Sequence, residues 1–361
     1  MLFAESKLGA QKLKNHMVMS AMTRCRAGID GIVGDMTVEY YAQRASAGLI
    51  MSEGINISST SLGTHLTPGI FNKAQIEAWK KVTSAVHQRG TLIYAELWHA
   101  GRVGHSVDRN GMLPVAPSAI AIRGTQHHTS LGKMDFEIPH ALTDEEIDQT
   151  IQDYRQAAIN AMEAGFDGIE FHAANGYLPH QFLSDNANQR SDRYGGSTEN
   201  KSRYILEVMQ VLINTIGSER VGIKLSPLHP YAGIVFQNPV ATFTYLINEL
   251  NKLDFAFLEI MKRGQGFPLL EGYPENDEIE LFGSLSKNTL IANSAYTKQS
   301  GESELQKGLA KLISYGSSFL ANPDLPARFE KDAALNKPDV KTFFLGGSKG
   351  YIDYPFMSSG N

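Results

Sequence analysis

The sequence predicts an α/β protein built as a single closed parallel (β/α)8 barrel of the TIM type, spanning residues 1–361. Three observations predict it. Short apolar runs of strand type alternate with longer stretches of helical period, giving about eight β-then-α units. Met19–Arg26, after the first strand, lacks the glycine-rich phosphate turn that a doubly wound sheet usually places there. Polar and aromatic residues also collect at the C-terminal ends of the predicted strands, where such barrels carry their chemistry.

In order, His16–Met22 reads as the first strand and Val38–Ala47 as a helix. Leu49–Ile57 follows as a strand, then a helix over Lys73–Arg89 with Ile76, Trp79, Val82 and Val86 on one face. Thr91–His99 is the third strand. A polar, Gly- and Pro-punctuated insert of about 100–140 comes next, too long for an idle connection and expected to form a lid or capping hairpin. Thr143 with Glu146 three positions on makes a capping box that starts the following helix. Gly168–Ala173, Val221–Ser226, Phe255–Met261, Thr289–Asn293 and Ser317–Ala321 read as the remaining strands. Helices are predicted over Glu199–Ile216, Pro239–Leu253, Ser303–Ser314 and briefly after Asp324, with Asp277–Phe282 in the weakest slot.

Composition narrows the function classes. Hydrophobic residues at 42% and charged residues at 20% suit a globular protein with a sizeable core. A net charge of -5 gives no reason to expect nucleic acid, which wants a basic face. No apolar run approaches a membrane span, and the N-terminus lacks the apolar core of a signal peptide. With the single cysteine Cys25, this sets cytoplasmic as the expectation. No pattern sets an oligomeric state. His127 and His128 lie in the insert with no cysteine or carboxylate cluster, and His99 and His105 are equally weak ligands, so no metal is expected.

The strand ends offer Thr23, Gly54, Glu96 with Trp98, His172 with Asn175 and Tyr177, Lys224, Glu259, Asn293–Ala295 and Gly316–Ser317. Such convergence is what a small-molecule pocket needs. Several segments then resemble the old yellow enzyme family: Glu39-Tyr-Tyr-Ala-Gln-Arg-Ala-Ser-Ala-Gly48, Leu97-Trp-His-Ala-Gly-Arg102, Val115-Ala-Pro-Ser-Ala-Ile120, Glu163-Ala-Gly-Phe-Asp-Gly-Ile-Glu170 and Ala321-Asn-Pro-Asp-Leu-Pro326. The run from His172 to Asn200 is the strongest match, and the resemblance covers nearly the whole chain.

The resemblance implies an FMN-dependent ene reductase that uses NAD(P)H to reduce α,β-unsaturated carbonyl or nitro compounds. It implies that His172 and Asn175 bind the substrate's oxygen and that Tyr177 donates the proton. Thr23 then corresponds to the threonine on the flavin carbonyl, and Gly54 joins the cofactor set. Trp98 and Tyr351 are expected to line the substrate pocket, with Thr64 standing where many relatives carry tyrosine. Four positions that touch FMN in the family are altered here. Glutamine is replaced by Glu96 and arginine by Lys224, which keeps charge but loses the planar fork. A phosphate-turn glycine is replaced by Ser294, beside Ala295, and a second arginine by Ser317, after Gly316. Loss of one bidentate arginine weakens phosphate binding by ~10²-fold or more, although backbone N–H groups and serine hydroxyls can still cradle a phosphate and Lys262 or Arg263 are candidates to lean in. The sequence therefore supports a reductase with a weakened FMN site, or an FMN-free isomerase or cyclase using Glu96 as base with Tyr177 or His172 as acid. A ligand-binding pseudoenzyme is the third reading.

Overall fold

The computed structural model describes residues 1–358. Eight parallel strands form a closed ring: β1 (Met17–Met19), β2 (Leu49–Met51), β3 (Leu92–Trp98), β4 (Gly168–His172), β5 (Val221–Leu225), β6 (Phe257–Met261), β7 (Thr289–Asn293) and β8 (Leu312–Tyr315). Each pairs with the next, and β8 returns to β1 through Ile313 opposite Met17. Period-2 alternation sends every second side chain into the barrel. At the bottom these are apolar: Val18, Leu49, Tyr94, Phe257, Ile291 and Leu312 pack together, with Leu8 and Leu13 closing the floor. The latter two belong to an N-terminal antiparallel pair, Ser6–Leu8 with Gln11–Leu13. One level up, the register sets Glu96 beside Glu170, Lys224 beside Glu259, and Lys224 beside His172.

Helices cover the ring: α1 (Asp35–Gln43), α2 (Lys73–His87), α3 (Asp144–Glu163), α4 (Thr198–Ile216), α5 (Pro239–Leu250) and α6 (Lys298–Gln306), then the short α7 (Ser317–Ala321) and α8 (Leu325–Glu330). The α2 stripe Ile76, Trp79, Val82 and Val86 is buried as its spacing predicts. Thr143 accepts from the Glu146 N–H and the Glu146 side chain answers the Thr143 N–H, the expected capping box. The sixth slot holds one π-helical turn, Ile279–Gly283.

One predicted pair of elements is displaced. The predicted helix Ser303–Ser314 is helical only over its first residues, up to Gln306, and Ser317–Ala321 is not a strand. The helix ends at Gln306, shortly before Gly308 at φ +80°. The buried run Leu312–Tyr315 then forms β8, leaving Ser317–Ala321 to begin a helix. Two short apolar runs stand close together there, and a left-handed glycine is the stop that separates helix from strand.

The segment 100–140 contains an antiparallel hairpin, Gln126–Thr129 with Gly132–Asp135. Its Ile122 and Phe136 pack with Trp98, Ala100 and Val103, and Tyr177 lies against the same cluster. His127 holds the hairpin to the Gly63 carbonyl at 2.8 Å.

Glycine is required where the inward rings are large. A Cβ on Gly222 of β5 would meet the Phe257 ring at 2.1 Å. Gly222→Ala is therefore expected to cost about 1–3 kcal/mol by overpacking. A urea midpoint unchanged from wild type would show that the barrel floor can shift to absorb the methyl.

Candidate active site

A cavity of ≈ 290 Å³ opens at the C-terminal end of the strands. Thr23, Gly54, Glu96, Trp98, His172, Asn175, Tyr177 and Lys224 all line it, together with Ser20, Ala21, Met261 and Asn293. Residues that the sequence singled out on six separate strand ends, Asn293 among them, are thus brought to one space.

His172 ends β4. Its Nδ1 accepts the Ala174 N–H at 3.3 Å, so in the neutral ring the proton sits on Nε2. Burial, reinforced by the Lys224 ammonium, holds this histidine well below its ordinary range and therefore neutral. The Nε2–H is a donor, 3.8 Å from the Glu96 carboxylate. Asn175 adopts φ +52°, a left-handed turn that asparagine tolerates, and its N–H donates to Ser226 Oγ at 2.8 Å. Its Oδ1 has no partner among the described residues. Tyr177 precedes the helical turn Leu178–Leu183. Its ring sits edge-on to Trp98 at 5.1 Å and to His172 at 4.9 Å, with Tyr231 at 6.3 Å. Burial first, then Tyr231 and Glu96, raise this phenol well above its usual value, so it stays protonated. Gly54 allows the indole to lie close, since a Cβ there would sit 3.2 Å from the Trp98 ring.

Behind these groups lies a buried charge cluster. The Lys224 ammonium donates to Glu96 at 2.8 Å and Glu170 at 2.6 Å, with Glu259 at 3.5 Å. Asn293 donates to Glu259 and to Ser20 Oγ. Burial alone would lower the lysine, but Glu170, Glu259 and Glu96 together hold it well above its ordinary value. One ammonium balances one carboxylate. Burial pushes Glu170 up to about 7, against the pull of Lys224, and it pushes Glu259 up to about 8 with help from Glu170. Glu96 is also raised by burial, opposed by Lys224.

The other expected positions lie elsewhere. Tyr351 does not line the cavity: its ring stacks on Tyr40 at 4.3 Å, with the Arg24 and Arg26 guanidinium groups 5.1 and 4.6 Å from its centre. The cations that clamp the tail draw it away from the barrel mouth. Thr64 is also absent from the lining, its carbonyl taking the Thr67 hydroxyl at 2.6 Å. Ser294 and Ala295 form a left-handed turn after β7, with φ of +105° and +58°. Gly316 caps α7 and Ser317 begins it. None of these four lines the cavity. Lys262 pairs with Asp277 at 3.4 Å, and the Arg263 guanidinium donates to the Phe267 carbonyl, so both are engaged. Cys25 is buried, and burial pushes its thiol up to about 12, which makes it inert at neutral pH. Among the described residues no cluster of His, Cys, Asp and Glu could hold a metal, and no helix is long and apolar enough to cross a membrane.

Sequence reasoning missed Glu170, Ser20, Ala21, Met261 and Tyr231 as part of the site. Glu170 was within reach: two residues before His172 on one strand, it shares the inward face. The others depend on which strand end turns inward.

A closed barrel that gathers a tyrosine, a neutral histidine and an asparagine in one cavity beside a buried ammonium has the form of a small-molecule enzyme site. Residues 1–336 match the NADH:flavin oxidoreductase / NADH oxidase family. The chain is 38% identical over 361 residues to a putative 12-oxophytodienoate reductase 11 of Oryza sativa subsp. japonica, covering 99% of this chain and 98% of the relative. It is 39% identical over 356 residues to a probable flavin mononucleotide-dependent alkene reductase of Leishmania infantum, covering 97% and 96%. Among solved structures, the old yellow enzyme homologue from Zymomonas mobilis matches with a TM-score of 0.93 and 41% identity, covering 99% of each chain. The chain belongs to the NADH:flavin oxidoreductase / NADH oxidase family, whose members include the old yellow enzymes, and it is an oxidoreductase by that membership.

The donor set fits a flavin ring. Glu96, Lys224 and Thr23 line one cavity, where the carboxylate would accept from a ring N–H and the ammonium and hydroxyl would donate to ring carbonyl oxygens.

The cluster also makes stability depend on pH. Glu170 and Glu259 titrate higher folded than their ordinary 4.5. The unfolded chain therefore sheds these protons first, and the stability they contribute is full below 4.5 and lost as pH rises through about 7 and about 8. Glu259→Gln removes one such group, so its urea midpoint should fall less than that of wild type between those limits. Parallel profiles for the two proteins would mean that Glu259 is ionised throughout.

Proposed function

We propose that this protein reduces activated alkenes, α,β-unsaturated carbonyl or nitro compounds, with FMN reduced by NAD(P)H. The observation that carries the reading is the convergence of the His172 Nε2–H, the Asn175 amide and the protonated Tyr177 phenol on one cavity beside Lys224 and Thr23. FMN would be held by Thr23, Glu96 and Lys224 at its ring. The chemistry it supplies when bound is hydride transfer, from NAD(P)H to the alkene carbon β to the activating group.

The protein's own groups do the rest. His172 and Asn175 donate to the substrate oxygen, where negative charge grows as the β-carbon is reduced. The imidazole is neutral, so it donates without delivering a proton to that oxygen. Tyr177 gives its phenolic proton to the α-carbon, completing addition of two hydrogens across the double bond, and is reprotonated from solvent. Trp98 and Tyr231 fix the phenol's ring. The engagement of Glu96 by Lys224 at 2.8 Å supports this reading over a cofactor-independent isomerase, because an ion-paired carboxylate is a poor free base.

Purified protein should show a flavin spectrum after incubation with FMN, bleach with NAD(P)H and recolour on adding a conjugated enone. Tyr177→Phe should slow the recolouring by about 10²-fold or more while leaving the bleaching intact. Equal loss in both steps would count against Tyr177 as the proton donor. Glu96→Gln should keep or tighten flavin binding and keep reductase activity. Should it abolish turnover of a substrate that isomerises without flavin, Glu96 is the acting base and the reductase reading fails.

A further inference from the structure

The loops after β7 and β8 form the corner where barrels of this type ordinarily receive a phosphate. In this chain the corner presents Ser294 and Ala295 after β7, and Gly316 and Ser317 after β8. It carries hydroxyls and no cation of its own. The basic residues nearest in sequence are engaged elsewhere. Lys262 pairs with Asp277 at 3.4 Å and lies 4.5 Å from the centre of the Tyr296 ring. Lys298 pairs with Asp332 at 2.5 Å, and the Arg263 guanidinium is spent on the Phe267 carbonyl.

Two further observations point the same way. The cavity extends from Trp98 and Tyr177 to Lys224 and Asn293 and stops there, so the corner does not line it. Ala295 and Ser317 are exposed, so the corner is open to solvent, where any charge interaction with a phosphate is screened. Lys224, the one cationic side chain that lines the cavity among the described residues, is shared among three carboxylates.

We infer that this site recognises a flavin through its neutral ring system and not through its phosphate, so that riboflavin, the phosphate-free flavin, binds about as well as FMN. The inference rests on the flavin-dependent reading above. It makes the protein an alkene reductase indifferent to the phosphorylation state of its flavin.

Titrating the flavin-free full chain with FMN and then with riboflavin, followed by quenching of flavin fluorescence, tests it. The expected result is two dissociation constants within about threefold of each other, with FMN binding insensitive to added salt. FMN binding tighter by about thirtyfold or more, and weakening with salt, would overturn the inference while leaving the reductase reading intact. Binding of neither flavin would remove the reductase reading itself, and the inference with it. Ser317→Arg supplies the missing fork at an exposed position. It should tighten FMN by about tenfold or more and leave riboflavin unchanged. A variant that binds both flavins as wild type does would overturn the assignment of that corner to the phosphate.

Discussion

An ammonium surrounded by three carboxylates inside a closed barrel is the interaction on which the rest of this site depends. Lys224 reaches Glu96, Glu170 and Glu259 from near the C-terminal end of β5, and all four side chains are buried. A buried charge without a partner costs several kcal/mol, so the ammonium and its carboxylates hold one another in place. The barrel register enforces the arrangement, because Glu170 stands beside Glu96 and Lys224 beside Glu259 on adjacent strands. The apolar floor of Tyr94, Phe257 and Ile291 seals the cluster from below. Water is excluded on that side, and the carboxylates answer by rising toward neutrality.

The cluster in turn sets the electrostatics of the cavity. The Lys224 charge helps to hold His172 neutral, which fixes the ring as a donor at Nε2. Glu96 contributes to keeping the Tyr177 phenol protonated. A neutral donor pair and a protonated acid are what addition of hydrogen to a polarised double bond requires. The same balance leaves little net positive charge for an anionic ligand, and the chain adds none at the corner formed by the loops after β7 and β8.

Much of the fold was legible because buried parallel strands and amphipathic helices have distinct periods. The α2 stripe and the Thr143–Glu146 box were readable for that reason. The eighth unit was not, since two apolar runs of similar length, Leu312–Tyr315 and Ser317–Ala321, compete for one slot. Pairing of Ile313 with Met17, across the whole chain, decides between them. Tyr351 shows the same limit at the site. An aromatic residue in a tail segment fits a pocket or a clamp equally well, and only the positions of Arg24, Arg26 and Tyr40 select the clamp.

By itself the sequence determined the barrel, the family and most of the residues that line the cavity. It did so because strand period, strand-end chemistry and contiguous motifs are local properties. The altered cofactor positions were also visible as single substitutions, Glu96 and Lys224 among them. Tertiary structure alone decided that these two form one ion pair, joined by Glu170 and Glu259. They lie 128 positions apart in the chain, and it is the pairing of β3 and β5 with β4 between them that brings Glu96 to the Lys224 ammonium.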